Sequence, residues 1–357
     1  MKGSMSTSWE PKEKLDAGPW SAGADVVAVN GPEGGVLDWD QIRWDRVESD
    51  VRRLRQRIFK ATREGDLKKV RNLQKLMLRS RANTLSSVRR VTERNAGRRT
   101  AGVDGEVVLT PQARAKLVAS IEEPDTPWQA RPVRRVHIPK AKGRRPLGIP
   151  VISDRVRQTR VKNALEPEWE ARFEPKSYGF RPGRGCQDAI QAVYCTLNGK
   201  DAKRQWIVEL DLVAAFDRVD HAVLLEALGS FPGTGQVRQW LKAGVVERGR
   251  FRVSEQGTSQ GAVISPLLLN VVLDGIEQAA GVRYYKRGDA GTLAAWKSPI
   301  LVRYADDAVV MCHSRAQADE VRERLGAWLR TRGLALHEDK TRIVPLSQGF
   351  DFLGCVS

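Results

Sequence analysis

Two adjacent carboxylates set inside an apolar run constrain this chain more than any other feature. Ile300-Leu301-Val302-Arg303-Tyr304-Ala305-Asp306-Asp307-Ala308-Val309-Val310-Met311 has β-branched and apolar residues on both sides of Asp306 and Asp307. The pattern predicts a β-hairpin in a buried sheet, with Asp306 and Asp307 at the bend. Burying one carboxylate is costly, and two side by side repel each other unless cations neutralise them. The Tyr-x-Asp-Asp turn is therefore a candidate divalent-metal site. The competing reading is an ordinary Asp-rich turn between strands.

Charge says what such a site would act upon. The 357 residues carry a formal +17, spread unevenly: net −2 over 1–37, +11 over 38–100, +7 over 101–185 and +1 over 186–357. The basic half is expected to hold a polyanion, and the near-neutral half the chemistry. No apolar run approaches the ~20 residues of a membrane-spanning helix, so a membrane is not an expected partner. Cys186, Cys195, Cys312 and Cys355 form no C-x-x-C pair and the four histidines are scattered. Neither a zinc site nor a disulfide framework is expected, which fits the cytoplasm, with nucleoid association left open.

Taken in order, residues 1–37 are rich in Gly, Ala, Ser and Pro without periodicity, and are expected to form a flexible tail. Residues 38–99 read as a basic helical extension. Val47, Val51, Leu54 and Ile58 recur at helical spacing, Gly65-Asp66 breaks the pattern, and Leu67, Val70, Leu73 and Met77 resume it. Arg52, Arg53, Lys68 and Lys69 are candidate nucleic-acid contacts. A solvated helical face is the plainer alternative, but +11 over 63 residues favours phosphate binding.

Val133–Lys140 and Arg145–Pro150 read as two strands around a glycine-containing tip. Such a basic ribbon could close over a triphosphate through Lys140 and Arg145, or be a plain soluble loop. Ser177-Tyr178-Gly179-Phe180-Arg181-Pro182-Gly183-Arg184-Gly185 interleaves aromatics with arginines. Arg181 and Arg184 could hold phosphates while the rings stack on bases, or the stretch could be a packed aromatic turn. Trp206–Leu212 reads as a buried strand with Asp211 at its end, 95 residues before Asp306, so a shared site requires strand pairing. Asp217 and Asp220 read as turn or capping residues. Gln256–Pro266 is glycine-rich and opens an apolar helix; Gln260 could touch a base-pair edge, or the loop could simply start a core helix. Ser314 begins a capping box ahead of a helix with Val321, Leu325, Trp328 and Leu329 on one face.

These segments, in this order, resemble the reverse transcriptases encoded by bacterial group II introns, from about Trp39 to the C-terminus. Tyr304-Ala305-Asp306-Asp307 and Leu210-Asp211-Leu212…Phe216-Asp217 are similar to that family's two metal-binding motifs. Ser259-Gln260-Gly261…Ser265-Pro266, Arg145–Pro150 and Phe350–Gly354 are similar to three others. Ser259 and Ala262 stand where the family often has Pro and Gly.

The resemblance implies an α+β right-hand polymerase: a fingers–palm unit with an antiparallel palm sheet, preceded by the basic helical extension. Residues 100–200 would be fingers and 201–357 palm, ending before a thumb, maturase or endonuclease domain. It further implies that Asp211 and Asp306 hold two Mg²⁺ ions, with Asp307 as third carboxylate and the Leu212 carbonyl as a further ligand. Phe216 would exclude a ribose 2′-hydroxyl, and Lys340 could protonate pyrophosphate, although an exposed strand lysine is the simpler reading. The expected activity is RNA-directed DNA synthesis from dNTPs and a DNA primer or target, on intron or template RNA, in intron mobility and splicing. Two alternatives stand beside it: a non-catalytic RNA-binding splicing cofactor, and a reverse transcriptase recruited to phage defence or a CRISPR locus. RNA-templated RNA synthesis is disfavoured by the bulk of Phe216.

Overall fold

The computed structural model describes residues 37–123, 128–139, 143–198, 203–286 and 292–356. The expected tail lies outside them except for Leu37. Helices α1 (Trp44–Arg63), α2 (Leu67–Arg79) and α3 (Arg81–Arg89) come first, followed by α4 (Pro111–Glu122). The Gly65-Asp66 break separates the two helices as expected, and Asp66 caps α2, its side chain accepting the Lys69 N–H at 2.9 Å. Val47, Val51 and Ile58 of α1 and Val70, Leu73 and Met77 of α2 are buried. Leu67 is 60% exposed, because the helix begins there and its first turn hangs past the core.

These helices rest on α5 (Ile152–Glu170), which buries Val156, Val161, Ala164 and Leu165. The valines and Leu165 each contribute about 1.5–3 kcal/mol when fully buried. Ion pairs fasten the layer: Arg55 to Glu166 and Arg71 to Glu168, each at 2.5 Å. Part of the basic excess of 38–99 is therefore internal, and the extension shares its core with residues 152–170.

Strands β1 (Val133–Pro139) and β2 (Arg144–Ile149) form the expected basic hairpin. Chain order continues with α6 (Cys186–Leu197), β3 (Trp206–Leu210), α7 (Ala215–Arg218), α8 (His221–Leu228) and α9 (Thr234–Lys242). Then come β4 (Val245–Glu247), β5 (Arg250–Arg252), α10 (Ser265–Leu273), α11 (Ile276–Ala279) and the ribbon β6 (Tyr284–Lys286) with β7 (Thr292–Ala294). One sheet has the order β2-β1-β4-β5, with β1 and β4 parallel. Residues 245–252, within the stretch expected to be palm, thus complete the sheet of the 133–149 hairpin.

The second sheet contains β8 (Ile300–Tyr304), β9 (Asp307–Cys312) and, after α12 (Arg315–Arg330), β10 (Arg342–Pro345). Its order is β10-β3-β9-β8, every pair antiparallel. A short hairpin, β11 (Asp351–Phe352) with β12 (Cys355–Val356), closes the described chain. Alternation along the strands feeds two cores. Val208, Leu210, Leu301 and Val310 meet Val321 and Leu325 of α12 on one face. Ile207, Val302, Val309 and Met311 meet Ala189 and Val193 of α6, with Phe350 and Phe352, on the other. Among the described residues no helix is long and apolar enough to cross a membrane.

Candidate active site

The register of the second sheet brings the separated carboxylates together. Leu210 pairs with Ala308, so the next antiparallel step sets Asp211 opposite Asp307 at adjacent strand ends. Asp307 itself pairs with Tyr304. The bend is therefore Ala305-Asp306, not Asp306-Asp307 as expected from sequence. Ala305 takes a left-handed φ of +59°, which lets two residues close the hairpin. Asp306 is half-buried on the turn and Asp307 is exposed at the start of β9.

Asp211 and Asp307 line one concavity of about 270 Å³ with Glu209, Lys340, Arg342 and Asp351. Lys340 Nζ stands 3.1 Å from Asp211 Oδ2, and Arg342 Nε donates to Glu209 Oε2 at 2.9 Å. The Asp351 N–H donates to the other Glu209 oxygen at 3.0 Å. Glu209 is thus a buried tie that fastens β10 and β11 to β3. No sequence motif marks it, although a carboxylate inside a buried strand always requires partners.

Among the described residues no group of three or more His, Cys, Asp or Glu side chains is gathered closely enough to hold a metal ion. The donor chemistry nevertheless suits a hard cation: carboxylates at two strand ends, with the Leu212 carbonyl next in the chain. Main-chain bonds from Val213 N–H to the Ala335 carbonyl and from His337 N–H to the Asp211 carbonyl flank Leu212 and fix its backbone. The Lys340 ammonium already supplies one positive charge at Asp211.

The other expected contacts divide into open and closed. Phe216 is 8% exposed and meets Phe180 edge-to-face, with centroids 6.1 Å apart; Phe180 is 45% exposed. Arg145 is exposed on β2 opposite Ile138, and Lys140 lies outside the described residues. The Gln260 carbonyl accepts the Gly148 N–H at 2.6 Å, so the glycine-rich loop lies directly on β2. Gly261, at φ +106°, allows this, since a Cβ there would meet Leu147 Cδ1 at 2.6 Å. Arg135 reaches Asp217 at 3.6 Å, a link between the hairpin and α7 that the sequence did not reveal.

Arg52, Arg53, Lys68 and Lys69 are exposed; Arg53 pairs with Asp50, and Lys69 with Glu64 at 3.6 Å. The Arg181 expectation is corrected. Its guanidinium is buried, donating to Glu170 and to the Glu174 and Ser177 carbonyls, so it is not available to a phosphate. Arg184 is half-buried over the Tyr178 ring, and its Nη1 donates to the Pro175 and Ser177 carbonyls. The packed-turn alternative holds for Arg181.

The antiparallel sheet, the helical layer and the basic hairpin define an α+β fingers–palm protein of the right-hand type. A family model described as reverse transcriptase (RNA-dependent DNA polymerase) matches residues 138–357, and one for the N-terminal domain of reverse transcriptase matches 39–121. The chain belongs to the reverse transcriptase family, as its motifs implied. Protein YkfC of Escherichia coli K12 is 35% identical over 309 residues, 78% of this chain and 81% of that protein. The group II intron-encoded protein LtrA of Lactococcus lactis is 34% identical over 169 residues, 46% of this chain and 27% of LtrA. Maturase-like protein 1 of Euglena gracilis is 26% identical over 330 residues, 89% of this chain and 65% of that protein. Among solved structures, a telomerase from Candida albicans in complex with a telomeric RNA fragment aligns with a TM-score of 0.43. It shares 16% identity over 64% of this chain and 44% of that one.

Proposed function

We propose that this chain is an RNA-directed DNA polymerase of a group II intron, extending a primer 3′-hydroxyl with dNTPs on an RNA template. The observation that carries the proposal is the register setting Asp211 opposite Asp307 at the open ends of paired strands, within a reverse transcriptase family chain. Asp211, Asp306, Asp307 and the Leu212 carbonyl would hold two Mg²⁺ ions. When bound, the ions favour ionisation of the primer hydroxyl and neutralise charge on the leaving pyrophosphate.

The chain's own residues supply the rest. Arg145 on the hairpin offers a planar fork to the triphosphate, and Lys140, five residues earlier in the chain, a point charge. The Phe180–Phe216 ring pair limits space at the sugar, and Gln260 positions the glycine-rich loop beneath the base pair. Lys340, paired with Asp211, would protonate the leaving pyrophosphate. Arg52, Arg53, Lys68 and Lys69 hold RNA phosphates. In this scheme residues 38–99 are the RNA-binding extension, 100–200 with β4 and β5 the fingers, and the β10-β3-β9-β8 sheet the palm. The chain's role would be in intron mobility and splicing, in the cytoplasm; the likeness to a group II intron-encoded protein supports the intron setting.

A second reading, a maturase-like RNA binder without catalysis, draws on the likeness to maturase-like protein 1 of Euglena gracilis. Asp211→Asn and Asp307→Asn separate the two. Polymerase function predicts that either variant loses primer extension at least about a hundredfold while RNA affinity stays within about twofold. Equal loss of extension and RNA binding would refute the metal-site assignment.

A further inference from the structure

Arg303 lies on β8, three residues before Asp306, and is only 1% exposed. A guanidinium buried so deeply is costly unless its donors and its charge are both met. Here Nη1 donates to the Ala305 carbonyl at 2.9 Å and to Asn270 Oδ1 at 2.8 Å, while Nη2 donates to Ser177 Oγ at 2.6 Å; Nε has no hydrogen-bond partner among the described residues. Asn270, on α10, passes the link on by donating to the Gly179 carbonyl at 2.8 Å. Asp274 and Glu277 supply opposing charge, and the Glu174 carboxyl lies beside them.

The main chain repeats this connection. Ser177 bridges Arg303 in parallel: Tyr178 N–H donates to the Arg303 carbonyl at 2.8 Å, and Arg303 N–H to the Lys176 carbonyl at 3.0 Å. Gly179 presses against the turn so closely that a Cβ there would meet Ala305 N at 2.2 Å. Side chain and backbone therefore join residues 176–179 to Ala305 of the aspartate turn, and the next residue, Phe180, carries the exposed ring over Phe216.

We infer that Arg303 is a positioning residue: with Ser177 and Asn270 it clamps the Ala305-Asp306 turn to the 176–180 segment. The clamp fixes the offset between the carboxylates and the Phe180–Phe216 ring pair. Only a planar fork reaches all three acceptors, so lysine cannot replace it. The kinetic consequence rests on the polymerase assignment; the structural tether does not.

The test is amide hydrogen exchange on the full chain, read by peptide mass for wild type, Arg303→Lys and Ser177→Ala. The expected result is exchange about tenfold faster in peptides covering 304–307 and 177–181, with β3 and α12 within about twofold. In primer extension, kcat should fall about tenfold while KM for dNTP and RNA affinity stay within about twofold. Adding Ser177→Ala to Arg303→Lys should cost less than the two single effects combined, because the pair acts as one unit. Unchanged turn exchange, or an even rise across the whole sheet and α12, would overturn the clamp. Should Arg303→Lys fail to fold, Ser177→Ala, which deletes a single acceptor, carries the same expectation. Selective loosening in the variants, beside a wild type without polymerase activity, would sink the polymerase assignment and leave the clamp standing.

Discussion

Glu174 gives the fold a pH dependence whose sign and size follow from its surroundings. Burial, then the neighbouring Glu277 carboxylate, pushes its carboxyl from 4.5 up to about 8. The folded chain thus keeps a proton that the unfolded chain releases. The stabilisation is complete below pH 4.5 and is lost progressively as pH rises through about 8. At about 1.4 kcal/mol per tenfold change in proton affinity, the loss between those limits is at most about 5 kcal/mol. Asp274 and Glu277 are also raised by burial and act in the same direction. Glu174→Gln keeps an acceptor for the Glu277 N–H, which Glu174 Oε1 now receives at 2.7 Å, and removes the titration. Urea unfolding followed by circular dichroism at pH 5, 6.5 and 8 should show wild-type stability falling by several kcal/mol. The variant should fall much less and overtake wild type by pH 8. Parallel curves for the two proteins across this window would refute the reasoning.

Other perturbations address the site itself. Phe216→Ala should cost about 3–5 kcal/mol, as for a buried ring, and admit rNTPs. Phe180→Ala, at an exposed position, should relax sugar selectivity at a smaller cost in stability; unchanged selectivity in both would remove the gate role. Lys340→Ala should change stability by less than about 1 kcal/mol, since its pair with Asp211 is solvent-accessible. The same change should tighten Mn²⁺ binding measured by calorimetry, and weaker binding would place the lysine outside the metal's competition for Asp211. Replacing Arg52, Arg53, Lys68 and Lys69 by glutamine should lower the salt slope of RNA binding by about 0.7–0.9 for each phosphate no longer neutralised. An unchanged slope would locate the RNA face elsewhere.

Residues whose role follows from a local pattern were legible in the sequence. Asp220 and Ser314 cap the helices that follow them, and the alternating apolar runs at 206–210 and 300–312 form paired strands. What stayed hidden depends on partners far along the chain. Arg181 has the sequence signature of a surface cation because its carboxylate, Glu170, and its carbonyl partners become neighbours only when the 174–184 segment folds back. Glu209 and Arg303 are hidden inside apolar runs. A charge inside a buried strand is nevertheless itself a signal, since it predicts a partner before the partner is known. The bend shifts by one residue because hydrogen-bond register and the left-handed Ala305 decide which two residues close the loop. Carboxylate spacing along the chain does not.

The most direct measurement is primer extension by the wild-type chain on an RNA template with dNTPs, with and without Mg²⁺, beside Asp307→Asn. Polymerase function predicts Mg²⁺-dependent cDNA from the wild type and none from the variant, both binding the template with similar affinity. Tight, salt-sensitive RNA binding with no extension under any divalent cation would contradict it and leave the maturase-like binder as the function of this chain.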